Sequence, residues 1–582
     1  MKMKIAAAAA LLTIAASAAP TTSHAQMFAQ PDRDPRVNLR FDRYYDYAAI
    51  TDAIQRLQRA YPRFLTIENL GPSGEGRDIP IVVINNPETG PHTSKAAFWA
   101  DANIHGNEIQ GTEVNLYLIW FLMENYDALP KVKELVDTRA FYIVPTMNPD
   151  GRENFLKTGG PSRSGMMDWD SDQDGRPSSD NPNDLDGDGE IRQMRKHVPG
   201  QGTHVISPVD PRLMVVAPAG TKGDYIMLGS EGLDDDGDGR RNNDPRGGYD
   251  MNRDFPSDWQ PPHIQGGANR YPFSWPESRA VGQWLKDHPN IAGAQSWHNS
   301  GGMILRGPGS QHYKGTGDYT NRDNRVYDYL GERGALMLPH YRYMTVWKDL
   351  YTVYGGTLEW AHDALGIMSF TNELWSNNQM YNDAWGDDSP VPDEMRQLFF
   401  NDRLGMGAWF KDWTPFNHPE LGEVEIGGFS KWFGRTTPPF MLQELAHRNA
   451  MFALFHADEM PLLEWGDVTT ERIAGNTYRV TAEIRNTRAI PTRIEAAELY
   501  GSGRPDYFSI SGATVQAGGF TTGELSNQIR MQEGNPARIE VTSGVQGRSG
   551  VSVTWIVTGS GNVQLQYSSQ KGGEHTRTVP LR

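Results

Sequence analysis

Four short apolar runs limit what this chain can fold into more than any other feature. They are "KAAFWADANI" (95–104), "RAFYIVPTMN" (139–148), "IAGAQSWHN" (291–299) and "GIMSFTNELW" (366–375). Apolar runs of this length without alternation suit strands buried on both faces. "FLTIENLG" and "DIPIVVINN" read as two further strands, joined by the turn "PSGEGR". Helical spacings lie around them. Ile50, Ile54, Leu57 and Tyr61 form one stripe in 44–62, "EIQGTEVNLYLIWFLMENY" (108–126) reads as an amphipathic helix, and "ESRAVGQWLKDH" and "RVYDYLGERGALML" follow. Strands alternating with helices predict an α/β fold, a mixed, largely parallel sheet with helices on both faces.

The texture changes near residue 463. Period-two alternation takes over in Tyr478, Val480, Ala482 and Ile484, then in "VSVTWIVT" and "NVQLQYSS", with Gly-rich turns between. This predicts an all-β sandwich over 463–582 after an α/β domain over 40–462. Two domains also suit 582 residues. At the start, Lys2 and Lys4 precede an Ala-rich apolar run and then Ser23-His24-Ala25. That order predicts a signal peptide over 1–25 and a periplasmic or extracellular protein. The apolar run is too short for a membrane anchor, and no later segment could cross a bilayer. The chain has no cysteine, so its stability must come from the size of its core and from any bound ions, not from disulfides. A formal net charge of −17 argues against a nucleic-acid partner.

Three of the apolar runs and the start of a helix deliver metal-binding residue types to one place. His105 and Glu108 sit three apart between a strand end and a helix start, His298 closes another strand, and Glu373 closes a third. Ligands in open α/β sheets gather at the carboxyl ends of strands. Three protein ligands plus an open position are the pattern of a catalytic zinc site, with a free carboxylate nearby as general base.

In order along the chain, these motifs resemble the zinc carboxypeptidases of the carboxypeptidase A/B type, over about residues 40 to 462. "NPDG" (148–151), "YDMNRDF", "YTVYGGTLEW" and "FTNEL" fall at the expected places. The resemblance implies zinc on His105, Glu108 and His298, with Glu373 as general base toward a zinc-activated water. It implies Asn252 and Arg253 as the grip on a substrate's terminal carboxylate, Tyr351 as a hydroxyl cap, and Asp250 as the residue orienting a zinc-ligating imidazole. Leu358 falls where the family builds the floor of its specificity pocket, which implies apolar or aromatic C-terminal residues. The oxyanion-stabilising arginine of the family, in a Trp-Arg-Lys context, is matched to Arg195 in "QMRK", with Arg192 as its competitor. The implied partners are peptide or protein C-termini.

The stretch 165–245 departs from the digestive members of the family. Three segments, at Asp170, Asp172 and Asp174, at Asp184, Asp186 and Asp188, and at Asp234, Asp236 and Asp238, fit D-x-D-x-D-G, the opening of a calcium loop. None completes an EF-hand, since Asn181, Arg195 and Pro245 stand at the twelfth positions. They predict calcium in loops of another type; the alternative is a solvated acidic insertion. Two other functions stay open beside carboxypeptidase action: trimming of cell-wall peptides, and surface binding without catalysis in which the β domain meets a partner.

Overall fold

The apolar runs form the middle of an eight-stranded sheet. In the computed structural model, which describes residues 34–160, 162–380, 393–522 and 528–582, eight strands lie side by side. Their spatial order is Leu65–Pro72, Asp78–Ile84, Arg139–Val144, Ala96–Ala102, Ile291–Asn299, Met368–Leu374, Met303–Arg306 and Arg342–Thr345. The four middle strands run parallel. Antiparallel pairs join them to the strands on either side. Every residue of Ala96–Ala102, Arg139–Val144 and Ile291–Asn299 is buried, so no polar alternation marks them. The expected signal peptide over 1–25 lies outside the described residues.

Each face of the sheet has its own core. Phe98, Ala100, Phe141 and Ile143 face one side, with Ile50, Leu57, Leu116 and Phe452 from the helices Tyr47–Ala60, Gln110–Asn125 and Pro439–Asp458. Ala97, Trp99, Ala140 and Tyr142 face the other, with Val281, Leu285 and Trp360 from Pro276–Asp287 and Thr357–Leu365. The helix Gln110–Asn125 departs from its amphipathic expectation and is buried almost all round. Pro439–Asp458 packs beside it on the same sheet, Phe41 lies against its Tyr117, and its Trp120 Nε1 donates to Val37 O at 2.9 Å; a helix so enclosed need not show a polar face. Two of its buried polar residues are paired instead: Glu113 with Arg152 Nη2 at 2.7 Å, and Asn115 with Trp297 Nε1 at 2.7 Å.

The acidic insertion is also more ordered in pattern than its composition suggests. Its strands Gln193–Gly202, His204–Ile206, Met214–Val216 and Gly223–Ser230 join Phe410–His418 and Gly422–Phe429 in a second, six-stranded antiparallel sheet. The C-terminal residues form a five-stranded and a four-stranded antiparallel sheet around Val480, Ile484, Phe508, Trp555 and Tyr567. One helix, Glu495–Tyr500, stands where no helical pattern is legible. Its first N–H groups, at Glu495 and Ala496, are accepted by the Asp323 carboxylate at 2.8 and 2.9 Å, so its cap comes from the α/β region and not from its own sequence. Among the described residues, no helix is long and apolar enough to cross a membrane.

Candidate metal centre and active site

The loop from Asn103 to Glu108 is shaped from within. Asn103 has φ 63°, and its amide donates to the carbonyls of His105 and Gly106 at 2.7 and 3.1 Å. Asn148, which caps the helix Pro149–Lys157 through Gly151 N at 2.8 Å, also donates to Ile104 O at 3.2 Å. The "NPDG" turn therefore fixes the chain just before His105. On the neighbouring strands, His298 and Glu373 are direct partners in the parallel ladder, so both side chains leave the sheet at one level.

Three buried donor atoms converge there. His105 Nδ1 and His298 Nδ1 are each 3.0 Å from Glu108 Oε2 and 3.2 Å from each other. Tetrahedral zinc with ligands at about 2.0–2.1 Å spaces its donors about 3.3 Å apart, close to this triangle. The tautomer fits as well. His105 Nε2 lies 2.9 Å from Asp250 Oδ1, which fixes the proton on Nε2 and leaves Nδ1 as a lone-pair donor. Burial alone would raise the Glu108 carboxyl, but the two imidazoles hold it well below the usual carboxylate range. A charged carboxylate and two imidazole nitrogens are the donor set that zinc accepts, and the residues fit that ion.

A pocket opens beside the triangle, lined by Glu373, Arg163, Asn252, Arg253, Tyr351 and Leu358 among others. Glu373 is half-buried, and its carboxyl is pushed up to about 7, first by burial and then by the charge of Glu108. Arg253 is buried in the turn Met251–Arg253; its Nη1 donates to Asn252 O at 2.7 Å, and its Nε has no partner among the described residues. Asn252 Oδ1 accepts from Thr357 N and Oγ1 at 3.0 and 2.7 Å, which joins this turn to the Gly355-Gly356 segment. Gly355 has φ +70°, and a Cβ there would meet Arg253 O at 2.8 Å, so only glycine lets that segment pass the arginine. Tyr351 is 52% exposed and lines the pocket. Leu358 is buried in an apolar wall with Leu305, Val346 and Val353.

The chain carries a matching family signature. The zinc carboxypeptidase model (peptidase M14) matches residues 50–186 and 226–388, just over half of the chain. The chain belongs to the zinc carboxypeptidase family. Human carboxypeptidase D is 39% identical over 111 residues, 19% of this chain and 8% of that protein. Mouse carboxypeptidase M is 29% identical over 115 residues, 20% of this chain and 26% of that protein. The matched stretches span well under two thirds of these relatives. The solved carboxypeptidase A from Helicoverpa armigera is 17% identical, with 74% of this chain and 78% of that one covered and a TM-score of 0.41. Residues 462–580 match a domain of unknown function, DUF8731.

One residue expected in this zinc carboxypeptidase site is elsewhere. Arg195 lies in the six-stranded sheet, its Nε 2.7 Å from Glu425 and its guanidinium over Tyr225 and Trp413. Arg192, the competitor, is held by Asp188 at 2.9 Å and Glu190 at 3.1 Å. Besides Arg253, the arginine that lines the pocket is Arg163. Its Nη1 donates to Glu108 Oε1 at 3.0 Å and its Nη2 lies 3.3 Å from Asp250 Oδ2. Its carbonyl accepts from Gly106 N at 2.7 Å, which pins it to the His105 loop. The legible signal was nearness to the "NPDG" turn, twelve residues before it and ahead of the insertion.

The acidic loops meet each other. Asp170, Asp172 and Asp174 form one cluster of possible donors, Asp172 joins Asp236 and Asp238 in a second, and Asp184 and Asp186 gather with the buried Glu231 in a third. Asp188 is spent on Lys411 and Arg192, at 2.7 and 2.9 Å, and Asp234 accepts from the N–H groups of Gly237 and Gly239.

Proposed function

We propose that this chain is an exported carboxypeptidase that removes the last residue of peptides or proteins. The observation that carries the reading is the juxtaposition, in one pocket, of the His105–Glu108–His298 donor triangle, the uncommitted Glu373 carboxylate and the Arg253 guanidinium. Bound by those three residues, zinc would supply Lewis acidity and bring the pKa of a water toward about 7. Glu373 accepts the proton from the attacking water and returns it to the departing amine. Arg253, steadied by Asn252, takes the terminal carboxylate through its planar fork, which restricts cleavage to the last bond. Tyr351 closes over the bound residue, and Asp250 holds the His105 ring. Arg163 is placed to stabilise negative charge developing on the scissile carbonyl oxygen. Export rests on the signal peptide read in residues 1–25, and N-terminal sequencing of secreted protein checks it.

The arginine assignment makes a direct contrast. Arg163→Gln should lower kcat by about 10²–10³, the range for loss of one oxyanion donor. Arg195→Gln should leave kcat and KM unchanged and lower the thermal midpoint, because Glu425 loses its partner and Trp413 its stacked guanidinium. Steady-state kinetics on both variants reads this.

The pocket favours apolar C-terminal residues through Leu305, Val346, Val353 and Leu358, but Glu359 also lines it. Burial pushes the Glu359 carboxyl up to about 7; Asp363 and Asp258 also raise it, and Arg253 opposes them. Below pH 7 Glu359 is largely neutral, and above it Glu359 gains charge that suits an ammonium. Incubation with a peptide library, with the trimmed ends read by mass spectrometry, tests the activity itself. In the same experiment the ratio of kcat/KM for Lys-ending over Leu-ending peptides should rise several-fold from pH 6 to pH 8, and Glu359→Gln should flatten it. Intact C-termini throughout would remove the proposed activity.

Calcium in the acidic loops is part of the proposal on donor chemistry, since hard carboxylate oxygens suit it. Calcium should raise the thermal midpoint of the zinc-loaded protein by several degrees, and Asp172→Asn, which serves two of the clusters, should reduce that rise.

A further inference from the structure

We propose that the cavity between the α/β region and the β-sandwich is a binding site for a small anion bearing a carboxylate or phosphate group. The cavity measures about 250 Å³, room for roughly eight waters at about 30 Å³ each. The end of the helix Pro276–Asp287 and the start of the strand Ile291–Asn299 form one wall; Thr492–Arg493, Gly503–Asp506 and Gln570–Lys571 form the other.

Its charge is one-sided in a chain that is acidic overall. Lys571, Arg493 and Arg504 line it, Lys286 and His288 stand at the rim, and Asp506 is the acid among the lining residues. Lys571 is 8% exposed, and its ammonium donates to Ile291 O. Arg493 is 7% exposed; its Nη groups go to the carbonyls of Thr542, Ala497 and Ser502, and its Nε is buried without a partner among the described residues. Asp506 does not neutralise them by contact, since its carboxylate accepts from Thr492 Oγ1 and Tyr567 Oη at 2.5 and 2.9 Å. Arg504 is partly exposed, with its Nη2 on Ser568 Oγ at 2.7 Å and 3.7 Å from Glu574.

The carbonyls that accept from Lys571 and from the Arg493 Nη groups supply no countercharge, and Arg493 Nε is left without an acceptor among the described residues. Buried cations without one are costly, and an anion that entered the cavity would offset that cost. The state of Lys571 agrees: burial pushes its amine down to about 7, and the charge of Asp506 opposes only part of that effect. The competing role for Lys571 is structural, closing off the Ile291 carbonyl where the two regions meet.

The test uses the full zinc-loaded chain at constant ionic strength, with inorganic phosphate and succinate in separate arms against chloride. Thermal midpoint and calorimetric titration are the readouts. A saturable response to at least one anion, at millimolar Kd or tighter, is expected, weakened about tenfold in Lys571→Met (about 1.4 kcal/mol) with peptide hydrolysis unchanged. A response to phosphate alone identifies a phosphate ligand, and one to succinate alone a carboxylate. If neither anion exceeds chloride, or if Lys571→Met responds as the parent does, the proposal is overturned. Should Lys571→Met fail to fold, Arg504→Gln takes its place under the same criteria.

Discussion

His298→Ala should leave the protein folded and take away both its zinc and its activity. The three donor atoms lie 3.0–3.2 Å apart, so each contributes one corner of the same site, and two corners do not make a catalytic zinc centre. Metal chemistry supplies several kcal/mol to such a reaction, so kcat/KM should fall by roughly 10³ or more. Metal analysis after dialysis should find about one zinc per chain in the parent and far less in the variant. Stability gives an independent reading. A ligand present at about 1,000 times its Kd adds about 4 kcal/mol to the folded state, so zinc should raise the thermal midpoint of the parent and barely move that of the variant. A variant that keeps its zinc would place the metal on other residues.

Glu373→Gln should separate the chemistry from the metal. Zinc content should stay at the parent level, and kcat should fall by about 10²–10⁴, the usual contribution of a positioned proton acceptor. Glutamine keeps the shape and loses the basic oxygen. A stability measurement on the metal-free protein carries a sign. The raised carboxyl pKa means that the folded chain holds a proton which the unfolded chain releases between the ordinary 4.5 and about 7. Stability is therefore lost as pH rises through that window, and the variant, with no proton to lose, should show a smaller decline. With zinc bound, the cation favours the ionised carboxylate, so the acid limb of kcat/KM in the parent should lie below pH 7 and vanish in the variant. If the variant turns over as fast as the parent, Glu373 is not the base.

Much of the fold was legible because its signals are local. The run "IAGAQSWHN" shows no polar alternation in its first half, and the strand spans those same residues, 291–299. Ile50, Ile54 and Leu57 are spaced for one face, and all three are buried. The helix Gln110–Asn125 was legible as a helix but not in its surroundings, since one of the elements packed against it comes more than 300 residues later. Acidic composition hid the six-stranded sheet, whose strands pair with residues 410–429.

What the sequence determined by itself is the set of groups that can hold a divalent cation, because His105 and Glu108 are set by a three-residue spacing and His298 and Glu373 by the ends of buried strands. The tertiary structure alone decided which arginine faces them. A guanidinium is long and takes whichever carboxylate or aromatic ring the fold brings near. Arg163 meets Glu108 and Asp250 across the "NPDG" turn, whereas Arg195 meets Glu425 in a sheet the sequence does not announce. The same holds for Lys571 and Arg493: nothing near them in the chain shows that folding buries both in one cavity without a countercharge in contact, because that depends on two regions closing against each other.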